Sequence, residues 1–304
     1  MTATDDLFPG FAGGAAEVNG QKIFYRRKGD GPPVVLLHGF PQTHAMWHAV
    51  APALTDRHTV IVADLRGYGQ SSKPKGTAPY SFRQLAADQI ALMGHLGFGQ
   101  FHLVGHDRGG RVAHRLALDY PDAVLSLTVM DIVPTHHLLD KLTREVAAAY
   151  YHWFFLAQPY PFAETMIGHD PDAYFESCLL GWGAAQLEDF DEAALDAYRT
   201  AWRDKDTIRG MCADYRATLE VDFDLDAADL SKTVHAPALV LFGREGAMAK
   251  AYDVPATWKN RLSNMQAEAI PGGHFFIDQS PLETAKALRR FLERHPFNLQ
   301  HDPI

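Results

Sequence analysis

The chain has 304 residues, 47% of them hydrophobic, and carries 28 Lys and Arg against 37 Asp and Glu, a formal charge of −9. At roughly 100–200 residues per domain, this length holds one large domain or a core with an insertion, and the apolar content excludes a disordered chain. The acidic balance, without any run of Lys and Arg, excludes the footprint that nucleic acid or an anionic membrane surface requires, so an anionic ligand must find its positive charge concentrated locally.

In chain order, the first residues lack the basic and apolar regions of a signal peptide. The longest apolar stretch, around residues 146–157, is interrupted by His152 and is too short to span a bilayer, so a cytoplasmic protein is expected. Aliphatic or β-branched runs at 22–27, 33–38, 58–64 and 100–105 predict strands. Between them the pattern predicts a helix at 46–55, a Gly/Ser/Pro loop at 67–76 and a helix at 82–96. A helix follows Gly105 as far as Tyr120, and then a strand at 124–131. This alternation is that of a mostly parallel sheet flanked by helices, an α/β fold.

From 135 to 229 the sequence predicts only helices, separated by Pro, Gly and Asp and rich in aromatic residues, which is the pattern of a helical cap inserted into the core. Strands at 238–243 and 265–270 and a helix at 281–293 resume the alternation, and a tail at 296–304 is peripheral. The expected division is core 1–134, cap 135–229 and core 230–304. Cys178 and Cys212 form no disulfide framework or zinc motif, which suits a reduced compartment. Among the 16 histidines, His44 and His48 fit a packed or solvated face better than a metal site, because no carboxylate ligand stands near them in sequence.

The chemistry concentrates in a few places. Gly105-His106-Asp107-Arg108-Gly109 passes from a strand into a helix with the spacing of a nucleophile elbow, Asp replacing the usual Ser; alone, the pentapeptide fits equally well an Asp that caps the helix. Gly272-Gly273-His274-Phe275, after the last strand, offers a base. Asp131, at a strand end, is the favoured acid to orient it, and Glu245 in the loop after the next strand is the alternative. In His38-Gly39-Phe40-Pro41 the Phe40 backbone N–H would share an oxyanion hole with that of Arg108. The loop from Asp64 to Ser71 is assigned to structure. A carboxylate nucleophile is already ionised at neutral pH and suits displacement at saturated carbon, giving an ester that a His-activated water hydrolyses. Arg108 and Arg111, three apart at the start of the helix, would bind a substrate carboxylate.

These segments, with Tyr151-His152-Trp153 and Met211-Cys212-Ala213-Asp214-Tyr215-Arg216, resemble the fluoroacetate dehalogenases, α/β-hydrolases of the haloalkane dehalogenase and epoxide hydrolase branch. The likeness runs from Leu7 to the last helix. It implies hydrolysis of the carbon–halogen bond of a haloacetate, His152, Trp153 and Tyr215 as halide donors, and a homodimer. Trp182 is expected in the pocket wall. No metal or organic cofactor is expected, since nucleophile, base and charge stabilisers are all protein groups. Two other readings stay open. An epoxide hydrolase would use the same Asp107, His274 and Asp131 with Tyr150, Tyr151 or Tyr215 donating to the epoxide, although a neutral epoxide has no use for two arginines. A non-catalytic receptor on the same scaffold would keep the fold without turnover.

Overall fold

The computed structural model describes residues 7–296. The eight strands are β1 (Ala12–Val18), β2 (Gln21–Lys28), β3 (Pro33–Leu37), β4 (Thr59–Ala63), β5 (Phe101–His106), β6 (Val124–Met130), β7 (Ala238–Gly243) and β8 (Met265–Ile270), in one sheet ordered β1-β2-β4-β3-β5-β6-β7-β8. The strands from β4 to β8 in that order pair in parallel, whereas β1 and β2 form an antiparallel edge. Central β3 (PVVLL) and β4 (TVIVA) are buried at every residue, as expected of strands covered on both faces. Helix α1 (Phe82–His95), capped by the Ser81 hydroxyl, packs on α2 (Asp107–Asp119), and α2 lies against β5 and β6.

Between β6 and β7 the chain forms only helices: α3 (Thr135–Asp140), α4 (Arg144–Ala149), α5 (Tyr151–Leu156), α6 (Phe162–Ile167), α7 (Pro171–Gly181), α8 (Glu192–Trp202), α9 (Lys205–Ala217) and α10 (Phe223–Ala228), with a π-helical turn at Thr218–Asp222. After β7 come α11 (Ala247–Ala251) and α12 (Val254–Trp258), and after β8 come α13 (Phe276–Gln279) and α14 (Pro281–Glu293). The predicted tail, apart from Pro296, lies outside the described residues, as do residues 1–6.

Two local expectations fail. Strand β1, Ala-Gly-Gly-Ala-Ala-Glu-Val, carries no apolar alternation until its end, so only its pairing with β2 reveals it. The helix expected at 46–55 is instead two 3-10 turns, His44–Trp47 and Ala51–Leu54. The first is set by Thr43, whose hydroxyl accepts from the Ala45 N–H, and by Asp64, whose Oδ1 accepts from the His44 N–H at 2.8 Å. Pro52 starts the second turn, and its missing N–H prevents one continuous helix.

The strand order places the site. From β3 the chain crosses outward to β4 and then returns to β5 on the other side, so strand order reverses between β3 and β5, where Leu37 pairs with Gly105. Loops leaving the carboxyl ends of two such strands splay apart and leave a crevice. The loops here carry Phe40 and Asp107.

Candidate active site

The elbow is built by close approach. A Cβ on Gly105 would lie 2.2 Å from the Gly109 carbonyl oxygen, and one on Gly109 would lie 2.5 Å from the His38 oxygen, so only glycine lets α2 start this near the sheet. The Gly109 N–H donates to the His38 carbonyl at 2.9 Å. Between them Asp107 adopts φ of +46°, a conformation costing a non-glycine residue about 1–3 kcal/mol. The strain projects its carboxylate out of the sheet edge, which separates the elbow from an ordinary capping Asp: Asp107 is the first residue of α2, and its Oδ1 accepts from the Phe40 N–H across the crevice at 2.9 Å.

Opposite stands His274, on the loop between β8 and α13. Its Nδ1 is 2.7 Å from Asp131 Oδ2, and Asp131 Oδ1 accepts from the Gly243 N–H at 2.9 Å, so the carboxylate is clamped and the imidazole proton sits on Nδ1. Asp131 also adopts a positive φ, +49°. His274 Nε2, left with a free lone pair, has no protein partner and lies 3.9 Å from Asp107 Oδ2. Glu245 instead accepts from the Gly272 N–H at 2.5 Å and braces the histidine loop from outside. His106, whose Nε2 donates to the His274 carbonyl at 2.9 Å, steadies the same loop; burial lowers its pKa to about 3, so it is neutral. Burial works to raise the pKa of Asp107, but the surrounding positive charge, to which Arg108 and Arg111 contribute near neutrality, outweighs it and holds the carboxyl at about 2. The Asp107 carboxyl is therefore ionised at any pH near neutrality.

The helical segment closes over these groups. His152 and Trp153 from α5 and Tyr215 from α9 converge, with ring centroids 5.5 Å apart for His152 and Tyr215 and 5.6 Å for Trp153 and Tyr215, and Phe40 lies 5.2 Å from Tyr215. His152 Nδ1, Trp153 Nε1 and Tyr215 Oη are all buried without a hydrogen-bond partner, as is Tyr150 Oη. Burial keeps His152 neutral and Tyr215 protonated. Trp182, at the end of α7, lies 4.1 Å from the His152 ring and 5.3 Å from that of His274, and so walls the chamber on one side.

Both arginines reach this chamber, Arg108 and Arg111 lying 5.4 and 4.6 Å from the Trp153 ring. Arg108 is tied to Asp214 and Thr218, with Nη1 left unpartnered; Arg111 donates from Nη1 to the Val133 carbonyl and the Thr135 hydroxyl, with Nε left over. Burial lowers the Arg111 pKa to about 10, which still leaves it charged. Asp107 is 4% exposed and His274, His152, Trp153 and Tyr215 are each 1% exposed, so these groups are closed off from solvent; one open cleft, of about 240 Å³ and lined by Thr43, Asp64, Ala197 and Thr200, lies elsewhere. In a closed, low-dielectric chamber directed donors act most strongly on developing charge.

Asp107, His274, Asp131, Phe40, Arg108, Arg111, His152, Trp153, Tyr215 and Trp182 thus lie together, whereas Tyr151, one of the tyrosines considered for an epoxide, is 46% exposed. Asp214, Thr218, Val133 and Thr135, which hold the arginines, were missed as functional. For the first two a signal exists: they are four apart, on one face of a helical segment, and Asp214 directly precedes Tyr215. No group of three or more His, Cys, Asp or Glu suited to a metal occurs among the described residues, and none of their helices is long and apolar enough to cross a membrane.

The family model for the alpha/beta hydrolase fold matches residues 32–281. A fluoroacetate dehalogenase from Burkholderia sp is 51% identical over 94% of this chain and 95% of its own length. A soluble epoxide hydrolase from Corynebacterium sp. is 30% identical over 88% of this chain and 92% of its own. Among solved structures, an alpha/beta hydrolase from Nostoc sp PCC 7120 superimposes with a TM-score of 0.91 at 42% identity, covering 93% of this chain and 98% of that one. The fold, the elbow carrying Asp in place of Ser, and an identity of one half over nearly the whole length agree: the chain belongs to the fluoroacetate dehalogenase family of the α/β-hydrolases.

Proposed function

We propose that the protein is a hydrolytic dehalogenase of short 2-haloacids, with fluoroacetate and water giving glycolate and fluoride. The observation that carries this reading is the set of buried, unpartnered donors from His152, Trp153 and Tyr215 facing an ionised Asp107. Burying such groups unpaired costs about 1–3 kcal/mol each, a cost that an arriving anion reverses. Fluoride, a compact and poor leaving group, gains most from several directed hydrogen bonds as charge develops on it.

In the first step the substrate carboxylate binds Arg111 and the free Nη1 of Arg108. Asp107 Oδ2 attacks the carbon bearing the halogen, the C–F bond breaks with its electron pair leaving on fluoride, and an ester of Asp107 forms. Oδ1 stays on the Phe40 N–H. In the second step His274 Nε2 takes a proton from water, and the hydroxide attacks the ester carbonyl carbon. Negative charge then develops on Oδ1, where the Phe40 N–H already donates and the Arg108 backbone N–H adds to it. Collapse releases glycolate, whose alkoxide takes the proton from His274, while Asp107 keeps one oxygen from water and sheds the remaining water proton to solvent, so that the carboxylate is regenerated. Single displacement predicts inversion at an α-substituted carbon. The helical segment 135–229 acts as the cap that closes the chamber on the core segments 1–134 and 230–304. Two copies forming a homodimer in the cytoplasm is the accompanying expectation.

A second reading, epoxide hydrolysis, is favoured by the hydroxyls of Tyr150 and Tyr215, both unpartnered, and by the epoxide hydrolase relative. Purified protein given fluoroacetate and styrene oxide in separate assays decides between them. Fluoride release that Asp107→Asn abolishes supports the dehalogenase; rapid diol formation without fluoride release overturns it.

A further inference from the structure

The two arginines beside Asp107 are held in different ways. Arg108 is fully buried, with Nε donating to Asp214 Oδ2 at 2.9 Å and Nη2 donating to Asp214 Oδ1 at 2.5 Å, to Thr218 Oγ1 at 2.5 Å and to the Asp214 carbonyl at 3.1 Å. Its guanidinium lies 4.6 Å from the Phe82 ring and 4.3 Å from the Tyr215 ring. Asp214 is fixed in turn: Tyr68 donates to its Oδ2 at 2.8 Å. Every nitrogen of Arg108 except Nη1 is thus committed. Arg111 donates only to neutral oxygens, the Val133 carbonyl at 3.1 Å and the Thr135 hydroxyl at 3.0 Å, and keeps its charge uncompensated.

An unrestrained guanidinium next to a buried carboxylate would close on it as a bidentate pair. That pair would quench the nucleophile. Among the described residues no arginine pairs with Asp107, and the His274 imidazole stands 3.9 Å from its Oδ2. Asp214 takes up the competing fork of Arg108 and cancels its charge locally, so that Arg111 supplies the attraction for an anion and Arg108 supplies a directed N–H.

We propose that Asp214, assisted by Thr218, is a positioning residue for the reaction: it turns Arg108 away from Asp107 and presents Nη1 alone to the substrate carboxylate. Because both sit at the α9 end that carries Tyr215, the same contacts fix the cap donor relative to the nucleophile. The inference rests on the reading of Arg108 as a carboxylate donor.

Steady-state kinetics with fluoroacetate test it through Arg108→Lys, Asp214→Asn, Thr218→Val and the double variants. Asp214→Asn is expected to raise KM about ten- to a hundredfold, the scale of a misplaced binding group. Thr218→Val, which removes one acceptor and keeps the shape, should raise it a few-fold. In the Arg108→Lys background neither substitution should raise KM further, because a residue acting through Arg108 has nothing left to position. Effects that add in the double variants, or an unchanged KM in Asp214→Asn and Thr218→Val, overturn the inference while leaving Arg108 as a binding group. An unchanged KM in Arg108→Lys alone overturns the underlying reading instead. Should Asp214→Asn fail to fold, the cycle of Thr218→Val with Arg108→Lys decides by the same criterion.

Discussion

The edge of the sheet and the helical segment over it meet at one site but are finished differently. On the sheet side the carboxylates and the histidine loop are held by pairing, Asp107 Oδ1 with Phe40, both Asp131 oxygens with Gly243 and His274, and His106 Nε2 with the His274 carbonyl, while His274 Nε2, Arg108 Nη1 and Arg111 Nε have no partner. On the cap side His152, Trp153, Tyr215 and Tyr150 each keep a buried polar atom without a partner. Paired groups fix geometry, which nucleophilic attack and proton transfer require. In the proposed reaction the unpaired donors meet a charge that exists only once the carbon–halogen bond is breaking, so the sheet side would serve the ester and the helical side the leaving group.

Substitutions on the sheet side should therefore act on the chemical steps themselves. Asp107→Asn removes the nucleophile and should lower fluoride release on the order of ten-thousandfold or more with the fold intact, read by a fluoride electrode and circular dichroism. Next in size, His274→Ala should permit the first step and stall the second, so that the peptide carrying Asp107 gains the mass of the ester under saturating substrate; an unmodified peptide would break the division of labour drawn for the core. Asp131→Asn should slow the same step about a thousandfold by loosening the imidazole and its tautomer.

On the cap side the expected signature is different. Tyr215→Phe or Trp153→Phe should slow turnover of fluoroacetate about ten- to a thousandfold and that of chloroacetate less, since chloride spreads its charge and leaves more readily. For Tyr215→Phe thermal stability should hold or rise, because the hydroxyl removed had no partner in the folded protein, whereas Trp153→Phe also removes buried ring volume and should lower it. A fall in melting temperature for Tyr215→Phe with equal effects on both substrates would show that its hydroxyl serves packing.

The smallest effect concerns Asp222, in the π-helical turn after α9. Its Oδ1 accepts from the Phe82 N–H at 2.9 Å, Oδ2 has no partner, and burial raises its pKa to about 8. Between the ordinary carboxylate range near pH 4 and pH 8 the folded state holds a proton that the unfolded state has released, so this residue makes stability fall as pH rises through that window. Asp222→Asn keeps the cap on α1 and should raise the melting temperature by a few degrees more at pH 8 than at pH 5. An equal change at both values would refute the ionisation.

The sequence foretold the two regions unequally. Strands buried on both faces, such as 33–37 and 59–63, announce themselves as aliphatic runs, and the places of Asp107, Asp131 and His274 were legible because the first two directly follow a strand and the third follows one through a glycine-marked loop. The edge strand Ala12–Val18 was not, because its small residues pair through backbone atoms that leave no side-chain pattern. Within the cap, His152, Trp153 and Tyr215 could be named only through family resemblance, since an aromatic that packs and one that donates have the same periodicity. The anchoring of Arg108 by Asp214 spans 106 positions and is a property of the folded chain.

The central claim, a covalent ester on Asp107, is tested most directly by a single turnover of fluoroacetate in heavy-oxygen water with enzyme in excess. The account predicts glycolate carrying only ordinary oxygen in its new hydroxyl and one heavy oxygen in the Asp107 carboxylate. Heavy oxygen in the glycolate hydroxyl, with Asp107 unlabelled, would mean that water attacks the substrate directly and would contradict it.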